Sequence, residues 1–314
     1  MMSTSTLTPL ASALADIALE AAWAPAAYLR QAAHSGTDFT TKANYHDPVT
    51  IHDQAVETAL RIILDCAVPG SLLLGEEGGA APLGGPTCDL DVACAPLPSS
   101  PRWHEALSAV AGLGNRVRWI VDPIDGTANF AAGMPWFCTS IGVELDGRVV
   151  AGVVVAPLLD QAWAADSAKA WHEGRGIRTP LQAGRPLTEK EALFICYYPG
   201  PSTIKRDGAT ALAYEATLFE AHQTLRRTGA AALDLAHIAS SWCAGMMGFG
   251  FGPWDLAAGV HIVRIAGGTV HNPDTGTGLP EGLRPACLAI APGAELPTAT
   301  NVFSQIVAQR QLRT

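Results

Sequence analysis

An apolar run from Val117 to Val121 ends on Asp122-Pro123-Ile124-Asp125-Gly126-Thr127, and no other stretch constrains the fold as much. Val and Ile suit a pleated strand, whereas Pro123 cannot donate to a sheet ladder, so the strand must end or deform there. Two carboxylates three positions apart repel each other. Taken alone they have an ordinary reading, because Asp terminates strands and builds Asx-turns. The order of residues supports another. Pro123 fixes the backbone and removes a competing N–H, and Gly126 permits a close approach. Such a turn aims both carboxylates and the Ile124 carbonyl at one point, and a hard divalent cation is the usual reason to tolerate that repulsion. Thr127 then opens a short helix, where the N–H groups of Gly126 and Thr127 suit either a phosphate oxygen or a plain helix cap.

The 314-residue chain is 48% hydrophobic, enough for one large domain or two halves of about 150 residues. Its formal net charge of −9 argues against a nucleic acid or an anionic membrane as the main partner, since both demand a basic face. Seven cysteines without a C-x-x-C pair fit reduced thiols in a cytoplasm better than a disulfide framework. The opening MMSTSTLTPL has neither a basic segment nor an unbroken apolar one, so neither a signal peptide nor a membrane anchor is expected. The nine histidines lack H-x-x-x-H spacing and read as structural.

Along the chain, residues 9–34 read as a helix interrupted at Pro25. Residues 52–66 read as an amphipathic helix with Val56, Ala59, Leu60 and Ile63 on one face, after a turn over 47–50. A short strand at 71–74 runs into Gly75-Glu76-Glu77-Gly78, followed by a Gly- and Pro-rich insertion over 79–101 and a helix over 103–113. A hairpin is expected from 139–144 and 149–156 about Asp146-Gly147. Beyond Pro157 come strands at 161–165 and 193–197 and helices at 210–223, 230–243 and 254–265. The expected division is an N-terminal α+β half, 8–156, carrying the metal and phosphate loop, and a C-terminal α/β half, 157–310, supplying Asp255 and the substrate pocket.

The segment WIVDPIDGTANF at 119–130, with LLLGEEGG upstream and GPWDLAAG downstream, resembles the inositol monophosphatase family of magnesium-dependent, lithium-sensitive phosphatases. DPVTIHDQ at 47–54, RRTGAAALDLAHIAS at 226–240 and AGGTVHNP at 266–273 occur in that family's order, so the resemblance covers about residues 40–275. It implies an α/β (α+β) fold, the layered αβαβα sandwich of the sugar-phosphatase type, with the site between the halves. It implies that Glu76, Asp122, Asp125 and Asp255 are carboxylate ligands of two or three Mg²⁺ ions, with the Ile124 carbonyl as a further ligand. Catalytic roles would fall to Glu76, Thr127 and Asp53, with Thr127 bonded to Glu76 and orienting a water for in-line attack on phosphorus. Gly126 and Thr127 would bind the phosphate, and Ala231 and Gly248 would border the leaving group. Glu77 reads as a neighbouring acid. The implied partner is a small phosphate ester of a polyol, sugar or related metabolite, with no nucleic acid and no membrane; the implied assembly is a cytoplasmic homodimer.

Departures from the pattern bear on the leaving group. Gly248 stands where inositol-specific members carry an acid that holds sugar hydroxyls, and Glu77, Asp89 or Asp91 are the alternative sources of an acceptor. Ala128 replaces a second threonine, Ala230 replaces a small hydroxyl residue, and the stretch 79–117 is long. A sugar bisphosphatase or nucleotide 3′-phosphatase would need cations for a second phosphate, for which Lys205, Arg206, Arg226 and Arg227 are the candidates. A non-catalytic relative would have lost a metal acid or Thr127, and all are present.

Overall fold

The Ala- and Leu-rich N-terminal stretch forms two helices, α1 (Thr4–Trp23) and α2 (Ala26–Ala33), which part where Pro25 removes a backbone donor. The computed structural model describes residues 4–33, 40–41, 48–84, 94–181, 184 and 187–311. His34, His46, Asp47, Cys88, Asp89 and Asp91 lie outside the described residues. By composition Leu7–Ala33, with mean hydropathy 1.2, is long and apolar enough to cross a membrane. Within the fold, Leu14, Ile17, Ala18 and Ala21 of this stretch are fully buried in the core.

The chain continues through β1 (Thr40–Thr41), β2 (Pro48–Val49), α3 (Ile51–Ala67), β3 (Leu72–Gly75), β4 (Gly79–Pro82), α4 (Pro101–Val110), β5 (Val117–Asp125), α5 (Thr127–Ala131), β6 (Cys138–Leu145), β7 (Arg148–Ala156), β8 (Gln161–Ala165), β9 (Ala170–Gly174) and β10 (Ile177–Pro180). There follow β11 (Leu187–Thr188), β12 (Leu193–Cys196), α6 (Pro201–Asp207), α7 (Ala209–Ala221), β13 (Thr224–Arg226), α8 (Ala231–Ala239), β14 (Gly245–Phe249), α9 (Pro253–Ile265), β15 (Thr269–His271), β16 (Ala286–Ile290), β17 (Ala294–Glu295) and α10 (Pro297–Gln311).

An eight-stranded sheet has the order β10-β9-β8-β7-β6-β5-β3-β4, and a five-stranded sheet the order β13-β12-β14-β16-β15. Helices α1 and α3 pack on the large sheet, α8 and α9 contact both sheets, and α7 and α10 pack on the small one. This is the expected αβαβα layering. Two details differ from the sequence expectation. Residues 79–82 of the presumed insertion form β4, paired antiparallel with β3. The large sheet also continues past residue 156, because β8, β9 and β10 each return antiparallel on the strand before, so the sheet runs on from residues 8–156 into 157–180.

The middle helix layer sits very close to the large sheet. A Cβ added at Gly142 would come 2.6 Å from Ala257 Cβ, and one at Gly152 would come 2.5 Å from the Ala258 carbonyl oxygen. Glycine facing alanine thus draws α9 onto β6 and β7 and fixes where its first turn, with Asp255, begins.

Five cysteines, Cys94, Cys138, Cys196, Cys243 and Cys287, are free and buried. Cys66 is disulfide-bonded, which corrects the expectation of reduced thiols at that position; it is half-buried near the end of α3, whereas the five are enclosed.

His237 lies 4.9 Å from Trp136 and 5.0 Å from both Trp163 and Trp242 between ring centroids. Its Nε2 and that of His172 are buried without a hydrogen-bond partner among the described residues. Burial, reinforced by His172, pushes the His237 pKa from 6.5 down to about 4. The unfolded chain therefore takes up a proton that the folded chain refuses, and stability is lost as pH falls from 6.5 towards 4. Thermal melts across that window are expected to show a shallower acid decline for His237→Leu than for the wild type. An identical decline would show that this histidine carries no linkage.

Candidate active site

The register of β5 against β6 jumps at the acidic turn: Asp122 pairs with Ser140 and Asp125 with Cys138, so three steps on one strand span two on the other. Residues three apart on a regular strand face opposite sides, and one extra residue turns both to the same side. The bulge thus sets Asp122 and Asp125 together. Pro123 sits in it, where a missing N–H costs no ladder bond, and its carbonyl accepts the Thr139 hydroxyl at 2.9 Å. The strand ends at Gly126, whose φ of +92° suits glycine. A Cβ there would also lie 2.9 Å from the Trp136 carbonyl oxygen and 3.0 Å from Ala230 Cβ.

Asp122, Asp125 and Asp255 offer oxygens that all lie within 4.8 Å of one another. Asp255 arrives on the first turn of α9, its Oδ2 accepting the Gly252 N–H at 2.7 Å. Glu76 follows β3, and the parallel pairing of Gly75 with Val121 sets it beside Asp122, with which it shares a hydrogen bond. Burial, then the charges of Glu76, Asp125 and Asp255, push Asp122 well above the usual carboxylate range. Burial, then Asp255 and Asp234, do the same to Asp125. The N–H groups of Ala231, Ala232 and Leu233 at the start of α8 oppose this by donating to Asp125 at 3.1, 2.7 and 3.4 Å. Hard oxygen donors gathered where Asp122 and Asp125 are both raised fit a divalent cation.

The Thr127 hydroxyl lies 3.0 Å from Asp53 Oδ1 and 3.0 Å from the Ile124 carbonyl oxygen. Its acid partner is therefore Asp53, which corrects the expected bond to Glu76. The reason lies at the start of α3, where Thr50 donates to Asp53 Oδ2 from its N–H at 2.8 Å and its hydroxyl at 2.6 Å, leaving Oδ1 to face Thr127. The Ile124 N–H closes the turn on Asp122 Oδ1 at 3.1 Å. Ala231 is buried, with its N–H spent on Asp125. Gly248, on β14, has no room for a side chain: a Cβ there would come 2.6 Å from Phe251 Cε2 and 2.9 Å from Tyr197 Cβ.

A family model, the inositol monophosphatase family, matches residues 10–308. The chain belongs to the inositol monophosphatase family. The inositol-1-monophosphatase of Mesorhizobium japonicum is 35% identical over 173 residues, which are 55% of this chain and 63% of that protein. Nus factor SuhB of Escherichia coli is 34% identical over 167 residues, 53% of this chain and 60% of that protein. Both matches span less than two thirds of the relative's own length. In fold, the chain resembles the extragenic suppressor protein SuhB from Bartonella henselae with a TM-score of 0.71 at 24% identity, covering 93% of this chain and 97% of that one.

In this inositol monophosphatase family member two further acids support the site, and the sequence reading passed over both. Glu57, on α3, is buried and accepts the N–H groups of Glu77 and Gly78 at 2.8 and 2.9 Å, together with the Arg61 guanidinium at 2.8 Å. Gly75 and Gly78 make room for it, since a Cβ on either would come within 2.6 or 2.7 Å of Glu57 Oε1. Glu57 therefore holds the loop that carries Glu76. Asp234, fully buried on α8, accepts from the Tyr197 hydroxyl at 2.7 Å, from the Thr228 hydroxyl and from Trp136 Nε1 at 3.3 Å. Burial pushes it up to about 6 against those three donors. An acid inside the otherwise apolar AALDLA is the signal that would have found it.

Proposed function

We propose that the chain is a Mg²⁺-dependent phosphomonoesterase that hydrolyses a small phosphorylated metabolite. The convergence of Asp122, Asp125 and Asp255 within 4.8 Å, beside a threonine hydroxyl, carries the reading. Glu76, Asp122, Asp125, Asp255 and the Ile124 carbonyl would hold two or three ions, which supply charge neutralisation and Lewis-acid stabilisation of the phosphoryl oxygens. The Thr127 proton is directed at Asp53 and Ile124, so Thr127 Oγ1 is left as an acceptor. An acceptor there orients a water by one of its protons and leaves its lone pair for in-line attack on phosphorus. Asp53, fully buried and bonded to Thr50, holds Thr127 in that role. Gly126 and Thr127 present backbone N–H groups to a phosphate oxygen.

Of the four cations that could serve a second substrate phosphate, the three arginines are engaged by groups of this chain. Arg206 pairs with Asp207 at 2.7 Å, and Arg227 pairs with Glu215 at 3.8 Å and donates to the Cys196 carbonyl at 3.2 Å. Arg226 donates to Thr224 and Leu225 of its own strand. This favours a monoester over a sugar bisphosphate or a nucleotide bearing a 3′-phosphate. A cytoplasmic location is part of the reading, with the five free thiols for it and the Cys66 disulfide against it, and so is a homodimer, to be tested by light scattering. A panel of inositol, sugar, histidinol and nucleotide monophosphates is expected to yield inorganic phosphate only when Mg²⁺ is present. No release from any of them with Mg²⁺ would reject the proposal.

A further inference from the structure

We infer that the alcohol released by this site carries an aromatic or heteroaromatic face rather than the hydroxyl ring of a polyol. This rests on the phosphomonoesterase reading and specifies its leaving group. Two rings stand next to residues that hold the acidic site. Tyr197 follows β12, and its hydroxyl accepts the Gly229 N–H at 3.0 Å. Gly229 and Ala230 press on Gly126 together with Trp136, their nearest atoms 3.3 and 3.0 Å from a Cβ placed there, so Tyr197 stands one residue from the phosphate loop. Phe251 meets Tyr197 edge-on, with ring centroids 5.5 Å apart at 79°. It precedes Gly252, whose N–H holds Asp255. Both rings are half-buried, each packed on the core between the sheets.

The polar groups of this wall are already committed to one another. The Tyr197 hydroxyl accepts from Gly229 and donates to Asp234 at 2.7 Å. Asp234 Oδ2 takes Tyr197 and Thr228, and Oδ1 takes Trp136. The place beside Gly248, where a carboxylate could accept sugar hydroxyls, is filled by the Phe251 ring, 2.6 Å from any Cβ added there. Among the described residues of this wall a polyol would find no uncommitted side-chain acceptor, whereas a flat ring would find ring edges and faces.

Steady-state phosphate release with Mg²⁺ from 2-phenylethyl phosphate, inositol 1-phosphate and ethyl phosphate tests this. The specificity constant for 2-phenylethyl phosphate is expected to exceed that for inositol 1-phosphate by about tenfold or more. In Phe251→Leu, which keeps an apolar filling beside Gly248, the ratio of 2-phenylethyl to ethyl phosphate constants is expected to fall about tenfold, mainly through KM, and Phe251→Tyr is expected to restore it. An unchanged ratio in Phe251→Leu, or inositol 1-phosphate as the best of the three, would overturn the inference while Mg²⁺-dependent release from any ester upheld the phosphomonoesterase reading. Absence of release from these three and from the sugar, histidinol and nucleotide monophosphates as well would remove that reading and this inference with it.

Discussion

Asp122→Asn is expected to lower kcat by about a hundredfold to a thousandfold while the protein stays folded. Asparagine keeps the shape and the oxygen that accepts the Ile124 N–H, so the turn survives. What disappears is one charge from a buried cluster that binds a cation, and Lewis-acid stabilisation worth several kcal/mol depends on it, at tenfold per about 1.4 kcal/mol. The same substitution has an opposite effect on the metal-free protein. Burial and three neighbouring acids raise Asp122 well above 3.8, so its contribution to stability is present at pH values below 3.8 and is lost as pH rises through the raised value. At neutral pH in EDTA, Asp122→Asn should therefore melt above the wild type, and added Mg²⁺ should raise the melting temperature of the wild type far more than that of the variant. Near-full turnover, or equal Mg²⁺ shifts in the two proteins, would remove Asp122 from the metal site.

Glu57→Ala is expected to destabilise the fold by roughly 3–5 kcal/mol, the cost of removing one partner from a buried ion pair. The carboxylate is 3% exposed and its Arg61 partner 22%. Three groups would lose their acceptor together: the Arg61 guanidinium and the N–H groups of Glu77 and Gly78. Because those amides belong to the loop that sets Glu76 beside Asp122, Mg²⁺ affinity should fall with stability. Glu57→Gln, which keeps one acceptor and the volume, should lie between the two. Urea unfolding and calorimetric Mg²⁺ titration provide the two readings; a Glu57→Ala protein as stable as the wild type would mean that the loop is held by other contacts.

What was legible in the sequence was what is local. The β6–β7 hairpin could be read from Asp146-Gly147, which adopt φ of +52° and +77°, and the acidic turn from its proline and glycine. Asp255 could be placed only through the family resemblance, since a first-turn acid is otherwise an ordinary helix start. The Thr127 partner was misread because the bond to Asp53 joins residues 74 apart, and only the docking of α3 against α5 decides it. Glu57 escaped because Arg61 follows one helical turn later, which reads as a solvated pair; its burial depends on how the loop after β3 wraps back over the helix. Sheet membership beyond residue 156 was equally non-local, since strands at 161–165 and 170–174 could have paired elsewhere.

The bulge between Asp122 and Asp125 makes the metal site a matter of chain length as well as residue identity. One residue inserted into β6 between Cys138 and Ser140 would leave β5, both aspartates and the whole motif intact, yet with three steps against three regular alternation would send the two carboxylates to opposite faces, one towards α3 and the other towards α9. Side chains around this turn can therefore drift with the substrate, whereas a single extra residue on the partner strand abolishes the site outright.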